Sequence, residues 1–178
     1  ICFRDEIENQ GAQPQQLCFL YHCNAGYPLL QPGTRLILPE QSCTPRDAAA
    51  REGMAARKRM EVPVDGRPEQ VFQYVMADGG DGETFGAVVN DERELALCIR
   101  WNRRQIPFMT QWKSGASCDY AMALEPTNCD FQGRAGQTQL LEPFATHVNE
   151  LRFCVVEGKS AIEQLEEESE RLCQSLSR

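Results

Sequence analysis

The sequence has no C-x-x-C pair and only two histidines, although it contains nine cysteines in 178 residues. Structural zinc sites usually take Cys or His ligands in pairs two to four residues apart, so this pattern argues against a zinc centre. Several of the cysteines lie in apolar runs such as 17–19 and 153–155, where a thiol behaves as a small apolar side chain. We therefore expect reduced, buried and non-catalytic cysteines in a cytoplasmic protein.

Clustered positive charge and long apolar runs are also missing. The chain carries 26 acidic and 18 basic residues, a formal net charge of −8. This balance argues against a nucleic-acid partner, because neutralising phosphates needs clustered Lys and Arg. No stretch approaches the roughly 20 apolar residues that span a bilayer, so no association with a membrane is expected.

The chain starts at Ile1, without an initiator Met and without the basic and apolar regions of a signal peptide. It opens directly in an alternating, strand-like segment. These features predict that the chain is part of a longer polypeptide.

Short apolar segments bounded by Gly, Pro, Asn and Asp dominate the sequence, and this pattern is typical of an antiparallel β-sandwich. The length suits one well-buried domain, and we assign residues 1–157 to the sandwich. The predicted strands are Cys2–Glu8, Leu17–His22, Arg35–Leu38, Gln70–Met76, Thr84–Asn90, Leu95–Trp101, Phe108–Trp112, Asp119–Leu124 and Glu150–Val156.

Two segments depart from the β pattern. Residues 45–60, rich in Ala, Arg and Glu, predict a short helix, and residues 158–178 predict a longer one that begins with a capping box of Ser160 and Glu163. A 3-4-3-4 spacing gives the longer helix one narrow apolar stripe, formed by Ile162, Leu165, Ser169, Leu172 and Leu176. This stripe must cover either the chain's own sandwich or the helix of a neighbouring copy.

The two histidines differ in their surroundings. His147 lies in a polar stretch before the last predicted strand, where a surface histidine with no special partner is expected. His22 ends an apolar strand and is followed at once by turn residues, among aromatic and amide side chains. A histidine in such a position is either a structural residue or part of a polar site at the mouth of the sandwich.

Glu125 closes an almost wholly apolar predicted strand. Partial burial of a carboxylate raises its pKa toward the range that suits a general base. Lys113, at the end of the preceding strand, would restrain that rise or hold a sugar hydroxyl, and Trp112 offers an apolar face for a pyranose ring. The alternative is that Glu125 and Lys113 are simply paired charges at the rim of a sheet.

Residues 21–30 resemble the histidine-bearing strand and turn of aldose 1-epimerases. Tyr-His-x-Asn-x-Gly-Tyr-Pro-Leu-Leu at 21–30, Thr-Gln-Trp-Lys at 110–113 and Leu-Glu-Pro-x-Asn-Cys at 124–129 are more closely similar to a less characterised bacterial branch of that galactose mutarotase-like superfamily. The resemblance spans most of residues 1–158 and implies the C-terminal half of a two-sheet sandwich. The histidine and arginine that the family carries in its N-terminal half have no counterpart here.

This resemblance implies interconversion of sugar anomers, with Glu125 as the base, His22 as the acid on the opposite side of the bound ring, and no metal or organic cofactor. The sugar would be held by Tyr21, Asn24, Trp112, Lys113 and Asn128. The expected partner is a small-molecule sugar, and the helix or an exposed sheet would offer a homodimer contact. The alternatives are a carbohydrate-binding module without turnover and a structural fragment of a larger protein.

Overall fold

Two antiparallel sheets and one long helix form three layers in the computed structural model, which describes residues 1–136 and 138–174. The strands are β1 Cys2–Glu8, β2 Gln15–Leu17, β3 Cys23–Ala25, β4 Arg35–Ile37, β5 Glu40–Pro45, β6 Gln70–Met76, β7 Glu83–Asn90, β8 Leu95–Asn102, β9 Phe108–Ser114, β10 Ala121–Thr127, β11 Gln139–Leu141 and β12 Thr146–Glu157. The helices are α1 Ala48–Glu52 and α2 Lys159–Gln174, with 3₁₀ turns at Met54–Ala56 and Gly133–Ala135.

The sandwich consists of two five-stranded sheets. The first has the strand order β1-β12-β8-β7-β4, and the second has the order β3-β10-β9-β6-β5. A separate two-stranded ribbon pairs β2 with β11. The fold class is therefore the predicted antiparallel β-sandwich with a C-terminal helix.

The main core lies between the two sheets. Alternate residues of strands such as β6 and β8 face inward, as a half-buried strand requires. The largest fully buried side chains of this core include Phe72, Tyr74, Met76, Trp101, Met109, Met122 and Leu124. One face of the second sheet thus packs against the first sheet, and its other face is free to carry polar side chains.

A second, smaller core lies between the first sheet and α2. Ile162 and Leu165 of the helix pack against apolar residues of the sheet, among them Phe85 and Val89. Strand β7 is buried at almost every position because one of its faces meets the second sheet and the other meets this helix. The apolar stripe of α2 therefore covers the chain's own sandwich, as far as Leu172, whereas Leu176 lies outside the described residues.

Several local predictions were wrong. The predicted strand Leu17–His22 is broken, since β2 ends at Leu17 and β3 begins at Cys23. The predicted capping box is absent, because α2 begins at Lys159 after Gly158 in the left-handed region, so Ser160 lies inside the first turn. Strands β5 and β11 were not predicted, and both are short or polar.

The cysteines are all free thiols, but most are not deeply buried. Cys98 and Cys129 are buried, whereas Cys2 on the edge strand β1 and Cys118 in a turn are exposed. The expectation of buried cysteines thus holds for only part of the set. In the described ranges, no helix has the length and apolar character needed to cross a membrane.

Docking of α2 predicts a clear difference between two substitutions in the helix. Leu165→Ala should lower the free energy of unfolding by about 2–4 kcal/mol, because it removes a side chain that is 5% exposed and leaves a cavity. Glu167→Ala, on the exposed face of the same helix, should change it by less than about 0.5 kcal/mol. Urea unfolding of both variants measures the difference, and equal effects would contradict the docking.

Candidate active site

The geometry of the candidate site is set by the pairing of residues 20–25, which end in β3, with β10. Three aligned antiparallel pairs define this register: Ala25 with Met122, Cys23 with Leu124, and Leu20 with Thr127. His22 falls between the last two pairs and therefore lies directly opposite Glu125. Residues that are 103 positions apart in the sequence become cross-strand neighbours.

His22 and Glu125 also occupy the kind of position at which cross-strand side chains approach most closely. Two backbone hydrogen bonds mark the neighbouring positions: Tyr21 N–H to Pro126 O at 3.0 Å and Asn128 N–H to Phe19 O at 3.4 Å. Since hydrogen-bonded and non-hydrogen-bonded pairs alternate in an antiparallel ladder, His22 and Glu125 form a non-hydrogen-bonded pair. Their side chains stand on the face of the second sheet that points away from the main core.

The two side chains are in direct contact, with 2.8 Å between His22 Nε2 and Glu125 Oε1. The imidazole is half exposed, whereas the Glu125 side chain is only 6% exposed. The resemblance of the motifs implied an acid and a base on opposite sides of a bound ring. That expectation was wrong, because adjacent strands place the two groups side by side with no space for a ring between them.

Burial of the Glu125 carboxyl raises its pKa above the ordinary value for glutamate. The adjacent imidazole of His22 opposes this rise, and the negative charge of Glu69 adds to it. The predicted restraint by Lys113 is absent from these influences. A carboxyl with a raised pKa in contact with an imidazole is a candidate acid–base pair.

Trp112 of β9 lies on the same face and borders the pair. Its ring centroid is 6.0 Å from that of His22, with an interplanar angle of 59°. The indole N–H donates a hydrogen bond to Glu69 Oε2 at 2.7 Å, and Glu69 is held in turn by Arg46 at 2.8 Å. Glu69 thus fixes the orientation of Trp112. Glu69 was not among the predicted site residues, because only the β6–β9 register brings it near Trp112.

An open cleft of about 610 Å³ adjoins Trp112. It is lined by Arg67, Glu69, Trp112, Ser114, Ala116, Cys118, Asp119, Tyr120 and Ala121. An aromatic wall with polar groups around it, at this volume, suits a ligand of monosaccharide size. Asn24, two residues beyond His22 on the same side of the ladder, is exposed and lies opposite Ala123.

Tyr21 points away from this cleft, as a residue adjacent to His22 in an extended segment must. Its hydroxyl donates to Asp5 Oδ2 at 2.7 Å and accepts from Asn149 Nδ2 at 3.1 Å. Burial is the main reason why the pKa of Tyr21 rises to about 12. Tyr21 therefore anchors the segment that carries His22 and does not line the sugar cleft that was predicted for it.

His147 extends the same network. It lies within β12 and is 9% exposed, so the prediction of a surface histidine in a turn was wrong. Its Nε2–H donates to Asn149 Oδ1 at 2.8 Å, and its Nδ1 accepts from the Gln139 amide at 3.2 Å. Both ring nitrogens have partners, and this histidine joins Gln139 of β11 to Asn149, which holds the Tyr21 hydroxyl.

Lys113 and Asn128, both predicted to hold the sugar, make structural contacts instead. Lys113 faces the core side of β9, where Nζ donates to Ala56 O, Arg59 O and Glu61 Oε2. Burial lowers its pKa, and Glu61 opposes that change. Asn128 is 4% exposed, and its side-chain amide bonds to the backbone in place of a partner strand. Its Nδ2 donates to Leu17 O at 2.8 Å, and its Oδ1 accepts from Phe19 N–H at 2.9 Å.

The structure therefore brings together His22, Glu125 and Trp112, with Asn24 close by along the strand. It directs Tyr21, Lys113 and Asn128 to other surroundings. Among residues 1–136 and 138–174, no three His, Cys, Asp or Glu side chains converge as a metal site would require.

The fold is that of the mutarotase-like sandwiches. In comparisons with solved structures, a proposed aldose 1-epimerase from Klebsiella pneumoniae matches 97% of this chain with a TM-score of 0.90 and 22% identity. The Slr1438 protein of Synechocystis and a galactose mutarotase-like protein of Clostridium acetobutylicum each match 88% of the chain with a TM-score of 0.58, at 14% and 10% identity. At these identities the likeness shows the fold alone.

The particular family follows from the sequence. Residues 1–154 match the model of DUF4432, a domain of unknown function, and the chain belongs to that family. No match was found among curated proteins. The chain spans about half the length of the solved structures that it matches, with 47%, 50% and 52% of those chains covered.

The contact between His22 and Glu125 predicts opposite responses to two substitutions. His22→Ala should raise the pKa of Glu125, since the imidazole lowers it, and Glu69→Gln should lower the same pKa by removing a nearby negative charge. Titration of the Glu125 side-chain carboxyl by ¹³C NMR measures both changes. A pKa that falls or stays constant in the His22 variant would contradict the contact.

Proposed function

We propose that the protein is an aldose 1-epimerase-like enzyme that interconverts the anomers of a monosaccharide, with Glu125 and His22 as its acid–base pair. The observation that carries this proposal is the 2.8 Å contact between an exposed imidazole and a buried carboxyl on a face that also presents Trp112. The resemblance of the motifs around these residues to the epimerase superfamily supports the same assignment.

The proposed reaction needs a base at the anomeric hydroxyl and an acid at the ring oxygen. Glu125 accepts the hydroxyl proton while His22 donates a proton to the ring oxygen, and the bond between C1 and the ring oxygen breaks. Rotation about the C1–C2 bond and closure from the other face, with the two roles reversed, give the second anomer. The raised pKa of Glu125 makes its carboxylate a stronger base than that of an ordinary glutamate.

Adjacent catalytic groups suit this chemistry because the two reacting oxygens are bonded to the same carbon. An acid and a base on neighbouring strands can therefore approach both oxygens from one side of the ring. In this arrangement the sugar packs against Trp112 in the adjoining cleft, and C1 points toward the pair. Binding requires the direct His22–Glu125 contact to give way to hydrogen bonds with the substrate.

Carbohydrate binding without turnover is the second candidate function. The observation that favours it is the closed contact between His22 and Glu125, next to a cleft that is already open. A binding module would use Trp112 and the polar rim of the cleft and leave the pair in contact. The two candidates differ in whether sugar anomers exchange faster in the presence of the protein.

Replacement of either member of the pair should slow catalysis strongly. His22→Ala and Glu125→Gln should each reduce the rate of anomer exchange by about 10²–10⁴-fold, the usual contribution of a positioned acid or base. NMR exchange spectroscopy or polarimetry on a panel of aldoses, with the full-length protein, measures the rate. Glu167→Gln on the exposed face of α2 is the control and should retain the parent rate.

The outcome separates the two candidates. Exchange that persists in both the His22 and the Glu125 variants would remove the catalytic assignment. Saturable sugar binding without any exchange in the parent protein would identify the binding module.

Trp112 should contribute to sugar affinity through its apolar face. Trp112→Ala should weaken binding at least about tenfold, equivalent to about 1.4 kcal/mol, whereas Trp112→Phe should retain most of the affinity because it keeps an aromatic surface. Isothermal titration calorimetry with the sugar that exchanges fastest measures the difference. Unchanged affinity in the alanine variant would place the sugar elsewhere.

A further inference from the structure

Two cysteines are in contact on the segments that flank His22 and Glu125, one between β2 and β3 and the other just after β10. The Sγ atoms of Cys18 and Cys129 are 3.0 Å apart. Cys18 precedes His22 by four residues, and Cys129 follows Glu125 by four residues. Nothing in the proposed reaction uses either thiol.

The two cysteines lie just past the last bridged pair of this ladder, Leu20 with Thr127. Backbone contacts on either side of Asn128 keep the two segments together there, with Asn128 N–H donating to Phe19 O at 3.4 Å and Phe19 N–H donating to Asn128 Oδ1 at 2.9 Å. Since a disulfide has an S–S distance of about 2.05 Å, the two sulfur atoms need to approach by only about 1 Å to form one.

We propose that Cys18 and Cys129 are a modification site at which a small disulfide compound, such as glutathione disulfide, introduces an intramolecular disulfide. One cysteine sulfur attacks the glutathione disulfide as a thiolate and releases one glutathione. The second cysteine then loses its proton and displaces the other glutathione from the mixed disulfide. Both cysteines are oxidised, one molecule of glutathione disulfide is reduced to two of glutathione, and two protons move to the released thiols.

The surroundings of the two thiols determine which reacts first. Cys129 is 7% exposed, whereas Cys18 is partly accessible and is the sulfur that an external disulfide can reach. The contact with Cys129 raises the pKa of Cys18 to about 11, with burial adding to the rise. Because the thiolate is the attacking species, oxidation should accelerate as the pH rises from 7 toward 9.

The disulfide would join the acid-bearing segment covalently to the base-bearing strand. At present Asn128 and the Leu20–Thr127 bridge hold this end of the ladder. Any effect of this bond on catalysis rests on the proposed function, whereas formation of the bond does not. A chemical test of the bond therefore remains valid if the protein catalyses no anomer exchange.

Incubation of the folded protein with glutathione disulfide at pH 8.5, followed by alkylation of the remaining thiols, tests the proposal. Peptide mass mapping should find one linked pair, Cys18 with Cys129, and two fewer alkylated cysteines than in the reduced protein. The Cys18→Ser and Cys129→Ser variants should lose the linked peptide. The Tm of the oxidised parent should exceed that of the reduced parent, and this increase should be absent in both variants.

Cys98 and Cys154 supply a matched control, since they are also cross-strand partners, in the first sheet. Cys98→Ala should leave formation of the Cys18–Cys129 bond unchanged. Absence of the linked peptide in the parent protein would overturn the proposal. A predominant link between Cys98 and Cys154, or between copies through exposed Cys2 or Cys118, would overturn it as well.

Discussion

The antiparallel register between residues 20–25 and β10 is the constraint on which the candidate site depends. It places His22 opposite Glu125 at a non-hydrogen-bonded position, where cross-strand side chains approach each other most closely. A slip of one residue would turn His22 to the other face of the sheet and remove the contact. The chemistry proposed for the site is thus a consequence of strand pairing.

The layers of the sandwich make that register possible. The main core occupies one face of the second sheet, so the opposite face can hold a buried carboxyl, an imidazole and an indole. Burial is also what raises the pKa of Glu125, because a carboxylate loses solvation there. Behind His22, Tyr21 is tied to Asp5 and Asn149, and this anchor joins the site to the first sheet.

Alternation and turn residues are sufficient to predict most of the strands and the C-terminal helix. β1 and β6 have the predicted bounds, and in β6 the apolar residues Phe72, Tyr74 and Met76 recur with a period of two. β5 escapes prediction because it is polar, and β11 because it has only three residues. In both cases the partner strand supplies the pairing. The break in the predicted strand after Leu17 is likewise set by pairing, because β2 pairs with β11 whereas β3 pairs with β10.

The candidate site could be predicted only in part. The resemblance of the motifs identifies His22 and Glu125, but their direct contact depends on a register between distant segments. Alternation along a strand already implies that adjacent residues face opposite sides. By this rule, only one residue of the pair Trp112 and Lys113 can face the cleft. The same holds for Tyr21 and His22. Glu69 carries no local signal, since its role depends on the packing of β6 beside β9.

The most direct measurement is a crystal structure of the full-length protein with a bound aldose. The account predicts that the sugar packs against Trp112, with its anomeric hydroxyl within hydrogen-bond distance of the Glu125 carboxyl and its ring oxygen within the same distance of His22 Nε2. A sugar bound elsewhere, with the 2.8 Å contact between His22 and Glu125 intact, would contradict it.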